Sequence, residues 1–258
     1  LSSFFWFSKE TAIIINNWFM MYFLSVVLIG TIYPIFLDVL SSQKISVGPP
    51  FYHKLIIPFL IPFLIAMAVG PKLKWIKSNI EDKVYLILLF TISIVLSFLI
   101  VKKFNSNLLI NTILISSALY LFFITLRDFF IKKYGNVSQN IAHFGFSLLI
   151  LSILFNNLFS SEVITNLKVG ETFTSPNTKI VFKSINKKEE KNYISIRANF
   201  RIENLNGIID DLSPELRIYN QPNIATSEAD IKTSLLSDKF IVVNAVQNKD
   251  YFNVRYQV

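Results

Sequence analysis

Up to about residue 159 the chain is a succession of apolar blocks without formal charge; beyond it, apolar and polar residues alternate. Residues 11–37, 55–69, 84–101, 104–126 and 141–159 read as membrane-spanning helices, which take about 20 predominantly apolar residues each. The second block is short and carries Pro58 and Pro62, which remove backbone donors and predict a kink that a helix bundle can absorb. After residue 160, Ile194, Ile196, Ala198, Phe200 and Ile202 alternate with Ser195, Arg197, Asn199, Arg201 and Glu203. A period of two places one face of a strand in a core and the other in water. Phe252, Val254, Tyr256 and Val258 repeat the pattern, and residues 179–185 and 240–246 are further strand candidates. Ser175-Pro176-Asn177, Asn206-Gly207 and Gln221-Pro222-Asn223 supply turns between them. Residues 226–236 read as a short helix, because Thr226 precedes an acidic first turn at Glu228 and Asp230. The predicted fold is a polytopic α-helical membrane region over residues 1–159, followed by a small sandwich- or barrel-like β domain outside the membrane over 160–258.

Composition sharpens this picture. Of the 258 residues 52% are hydrophobic and 16% charged, against roughly 25% charged in soluble domains. The chain begins at Leu1 with no charged n-region ahead of its first apolar block, so it reads as an internal piece from which no signal peptide can be read. It has no cysteine, which excludes disulfides and thiolate chemistry. The net charge of +8 sits in loops and is not interleaved with exposed aromatics, so nucleic acid is not an expected partner. Lys72, Lys74, Lys77 and Lys83 lie between the second and third blocks, and Arg127, Lys132 and Lys133 between the fourth and fifth. The alternate loops hold Lys44 and Lys54, then Lys102 and Lys103. The basic loops should face the cytoplasm, which puts the N-terminal end inside and everything after Phe159 outside.

Within the apolar blocks the residue with the most chemistry is His143, near the start of the fifth. Ionisable groups in a bilayer are costly and mark functional sites by default, and a neutral imidazole in a helix bundle can ligate haem iron. Gly145 beside it would admit a flat macrocycle or a neighbouring helix. A histidine at the membrane interface, hydrogen-bonded to a loop, explains the residue equally well. His53 reads as a solvated loop histidine at the mouth of the second block, on the other side of the membrane from His143. Asn16 and Asn17 read as interhelical hydrogen-bonding groups, Lys9 and Glu10 as an interfacial pair, and Glu215 and Arg217 as an ion pair at a turn entering a strand.

A series of motifs in order carries a resemblance. It comprises Trp6-Phe7-Ser8-Lys9-Glu10, Asn16-Asn17, Gly30-Thr31-Ile32-Tyr33-Pro34, the loop from Ile45 to Tyr52, Gly70-Pro71 with Trp75, and Ala142-His143-Phe144-Gly145. It continues with Lys191-Asn192-Tyr193, Pro214 to Tyr219 and Thr226 to Ile231. The chain resembles the C-terminal half of the cytochrome c-type biogenesis CcmF family, a component of a haem lyase. The resemblance implies cytochrome c maturation: haem received from a haem chaperone and attached, with a thioredoxin-like partner, to apocytochrome c. It implies that His143 matches one axial ligand of an intramembrane haem b that reduces the incoming haem, with the second ligand outside this chain; no catalytic residue follows from it. It also implies the bacterial cytoplasmic membrane, with the β domain in the periplasm, ahead of the mitochondrial inner membrane. The family's tryptophan-rich haem-handling segment is absent, and a final helix is expected after the β domain, so this chain alone is not expected to be active. A transporter or channel fragment is the competing reading, and a membrane-anchored binding module a third.

Overall fold

The computed structural model describes residues 7–41, 45–76, 83–104, 107–131, 135–204, 207–235, 237–246 and 249–258. Trp6, Lys44, Lys77, Lys132, Lys133, Asn206 and Leu236 lie outside the described residues. The chain divides into two compact units, Leu1–Phe159 and Ser160–Val258.

The first unit holds five helices: α1 (Lys9–Ser41), α2 (Pro49–Val69), α3 (Lys83–Lys103), α4 (Leu108–Ile131) and α5 (Val137–Phe159). All five are long and apolar enough to cross a membrane. Helix α2 starts earlier than its hydropathy indicates, because Pro49 and Pro50 occupy first-turn positions whose N–H groups are unpaired anyway. It continues through Pro58 and Pro62 and closes with a single 3-10 turn, Gly70–Lys72. Helix α4 is the hub, packing against α2, α3 and α5, while α1 packs on α2. Buried Ser93 and Ser97 on α3 and Ser116, Ser117 and Thr125 on α4 donate to carbonyls three or four residues back. Small residues with internally satisfied hydroxyls let helix backbones approach closely without stranding polar groups in an apolar medium. Gly30 shows the same economy of space between α1 and α2: a Cβ there would lie 2.7 Å from the Tyr52 hydroxyl. Outward faces stay apolar, as at Leu24, Ile35, Ile87, Leu99 and Ile153, all exposed.

The second unit is all β. One sheet has the order β1 (Glu162–Leu167), β10 (Phe252–Gln257), β9 (Asp238–Ala245), β8 (Asp230–Thr233). The other runs β2 (Thr172–Thr174), β3 (Thr178–Glu189), β4 (Tyr193–Asn204), β6 (Glu215–Tyr219), β7 (Ile224–Glu228), with β5 (Ile209–Leu212) also on β4. All pairings are antiparallel, and β3 carries an irregularity between Phe182 and Ser184. Alternation on β4 holds from Arg197 onward, where Ala198, Phe200 and Ile202 are buried while Arg197, Arg201 and Glu203 are not. Ahead of it the order differs from the expected one, with Ser195 buried and Ile194 and Ile196 only partly so. Their core partners include Ile180 and Phe182 from β3 and Ile241, Val243, Val254 and Tyr256 from the other sheet. The inner faces of two sheets thus share one core, and Phe182 stacks on Phe200 with centroids 4.4 Å apart.

The expected helix over residues 226–236 is replaced by β7 and β8. The acidic groups read as a helix N-terminus serve strands instead: Glu228 lies 4.0 Å from the Arg217 guanidinium, and Asp230 accepts the Ser213 backbone N–H at 2.6 Å. Long-range pairing to β6 and β9 outweighs a weak local cap.

One buried carboxylate ties the sheets together. Asp210 on β5, its side chain 2% exposed, accepts Lys232 Nζ from β8 and Lys239 Nζ from β9, each at 2.6 Å. Those hydrogen bonds, Lys232 first, hold its carboxyl below the ordinary carboxylate value. A depressed folded-state pKa contributes stability above the unfolded value, and that contribution is lost as pH falls. Hydrogen-exchange protection of β5 and β8 amides in the full-length protein should therefore fall as pH drops below about 4. Asp210→Asn should reduce protection at neutral pH by about 2 kcal/mol and flatten the acid dependence. Unchanged protection in the variant would remove Asp210 as the link.

Candidate functional site

Helix α5 carries His143 about 9 Å along its axis from its start at Val137. The imidazole is half-buried and lines a cleft of about 180 Å³ with Gln139 of α5, Lys9, Ala12, Ile13 and Asn16 of α1, and Ala66, Met67, Gly70 and Pro71 at the end of α2. Small residues open this cleft: a Cβ on Gly70 would sit 3.7 Å from that of Ala12. The backbone carbonyl of Met67 is a hydrogen-bond partner of the ring. A neutral imidazole that donates one N–H to a carbonyl presents its other nitrogen as a lone pair. That arrangement fixes tautomer and ring orientation, as it does for metal-ligating histidines.

The end of α2 is held from two sides. Lys9 N–H donates to the Lys74 carbonyl at 3.0 Å, and the Ile76 N–H donates to the Glu10 carboxylate at 3.2 Å. Lys9 Nζ lies over the Trp75 ring, 5.5 Å from its centroid. Lys9 and Glu10, the expected interfacial pair, therefore each engage the segment after α2. On the other side Lys72 Nζ donates to Asp128 of α4 at 2.5 Å, with side chains 2% and 5% exposed. Beside it the Arg127 guanidinium stacks on Tyr85 of α3 at 3.7 Å. By its place in the sequence Lys72 is one loop cation among several, and Asp128 has no assigned role. The signal that marks the pair is a lone acid embedded in Leu126-Arg127-Asp128-Phe129-Phe130.

Other expected positions fall elsewhere. His53 lies on α2 itself, within its first turns, and is exposed to the surroundings of the helix. Gly145, two residues beyond His143, points to a different side of α5, and a Cβ there would meet nothing within 4 Å. It therefore opens no space at the cleft. Asn16 and Asn17 are both exposed on α1, and of the two Asn16 lines the cleft. Glu215 and Arg217 do pair, at 3.1 Å on β6, and Arg197 of β4 joins them. Hydrogen bonds from Arg197 and then Arg217 hold the Glu215 carboxyl below its ordinary value. Among the described residues, no group of three or more His, Cys, Asp or Glu gathers as a metal site.

Residues 158–258 match the family model described as the CcmF C-terminal beta-sandwich. The β domain is therefore similar to that family's sandwich. Across nearly its whole length the chain is also similar to the cytochrome c-type biogenesis proteins CcmF of Pseudomonas fluorescens, 26% identical over 97% of this chain and 40% of that protein, and of Escherichia coli K12, 23% identical over 90% and 37%. The solved structure of "Cytochrome c Heme Lyase CcmF" shares the fold, with a TM-score of 0.69 and 19% identity over 98% of this chain and 42% of that one. The chain thus spans about two fifths of the length of these relatives. The likeness to CcmF includes α1, the end of α2 and the start of α5, the three elements that build the His143 cleft.

Proposed function

We propose that this chain is part of a cytochrome c haem lyase, and that His143 supplies one axial ligand to an intramembrane haem b. The observation that carries the reading is the half-buried imidazole in a three-helix cleft, with the Met67 carbonyl engaging its ring. The donor set suits iron: one imidazole nitrogen remains for a metal, and the small side chains of Ala12, Ala66 and Gly70 leave room beside it. A haem held there would supply a one-electron couple able to reduce the iron of incoming haem. The Met67 carbonyl would hold the ring's orientation. Asn16 and Gln139 offer neutral hydrogen-bonding groups without adding charge, and Ile13 and Met67 add apolar surface.

The part that the relatives play in cytochrome c-type biogenesis supports the same assignment. In this reading the protein lies in the bacterial cytoplasmic membrane with its β domain in the periplasm. It works with a haem chaperone, a thioredoxin-like partner and apocytochrome c. The buried hydroxyls of α3 and α4 bond to their own helices, which favours a packed bundle over a polar transport path. The deciding experiment is the visible spectrum of the purified full-length protein with and without dithionite. A reduced b-type band is expected, and a well-folded protein without one would overturn the reading.

A further inference from the structure

We propose that Lys9 is the carboxylate-binding residue of the His143 cleft, receiving a propionate of the porphyrin whose iron His143 ligates. This rests on the haem reading of His143.

Charge distribution carries the argument. The cleft is lined by one lysine, the amides of Asn16 and Gln139, the imidazole, and otherwise apolar or small residues. Among the described residues no carboxylate lines it. Glu10, next to Lys9 in sequence, has its carboxylate hydrogen-bonded to the Ile76 N–H. Lys72, which follows Pro71 of the cleft wall, is neutralised by Asp128. The cleft is therefore electropositive and fitted to an anionic ligand. A porphyrin with two carboxylates has an apolar body and an anionic edge, and an anion at membrane depth is costly unless it meets a cation or water.

Position agrees with charge. Lys9 is the first residue of α1, whereas His143 lies about 9 Å along α5. In the alternating topology both helices start on the same side of the membrane. A macrocycle ligated by His143 would direct its polar edge toward the helix ends, where Lys9 stands. The lysine is held in place there, its backbone N–H fixed to Lys74 and its ammonium resting over Trp75. A cation over an aromatic face retains N–H donors for a carboxylate.

The test uses the full-length protein stripped of haem and titrated with haem or with haem dimethyl ester, whose propionates are blocked. Lys9→Met should weaken haem binding about tenfold, in line with the loss of one hydrogen bond to a charged group. The same variant should bind the dimethyl ester as tightly as the unaltered protein does, and Lys9→Arg should restore most of the haem affinity. Equal weakening for both porphyrins, or no weakening for either, would overturn the carboxylate role. His143→Ala is run alongside. Loss of ligation there with both porphyrins supports the underlying reading, and retention sinks that reading whatever Lys9 does.

Discussion

Replacing His143 with alanine in the full-length protein is expected to abolish the reduced b-type absorption band and cytochrome c maturation together. The substitution deletes the metal-binding nitrogen of the imidazole, and among the described residues no second imidazole lines the cleft. Asn16 and Gln139 carry amides, which are poor ligands for haem iron. The fold should survive, because His143 is only half-buried and its loss removes one hydrogen bond, worth about 1 kcal/mol. Gly145→Ala is the matched control on the same helix. Its new methyl meets nothing within 4 Å, so the band should persist. Equal b-type absorbance in His143→Ala and the parent, at equal yield of folded protein, would refute the ligand assignment.

Breaking the buried ion pair should produce the largest loss of stability. Lys72→Met leaves the Asp128 carboxylate, 5% exposed, inside the bundle without the ammonium now 2.5 Å away. Removing one partner of such a pair costs about 3–5 kcal/mol, because an uncompensated charge remains buried. Replacing both partners with apolar residues costs far less. The double variant Lys72→Met with Asp128→Leu should therefore regain most of the thermal stability in detergent that the single variant loses. The pair joins the 3-10 turn after α2 to α4, and that turn supplies Gly70 and Pro71 to the His143 cleft. The single variant should thus also show weakened haem retention. If the single and double variants melt alike, the pair is not what fastens the turn.

The α1–α2 contact gives a physical reason for two motifs that sequence alone leaves as a resemblance. Gly30 and Tyr52 belong to separate motifs, yet the missing Cβ of one accommodates the ring of the other. Tyr22 adds a hydrogen bond from its hydroxyl to the Leu55 carbonyl at 3.0 Å. Alanine at position 30 would force the Tyr52 ring to move, which makes this pair a packing constraint.

The five helices were legible because a bilayer imposes length and apolarity on each span independently of the others. The long strands β4 and β10 were legible because a half-buried sheet imposes alternation on adjacent residues. His143 stood out because charge-capable groups are rare in such spans. What tertiary structure alone decided depends on partners distant in sequence. Residues 226–228 and 230–233 form strands because β6 and β9 pair with them, although their local signals favour a helix. Gly145 faces away from the cleft because two helical positions turn a residue by about 200°. The links from Lys72 to Asp128, His143 to Met67 and Asp210 to both lysines join residues far apart along the chain. No local periodicity encodes them, since the energy that selects each contact appears only when the elements pack.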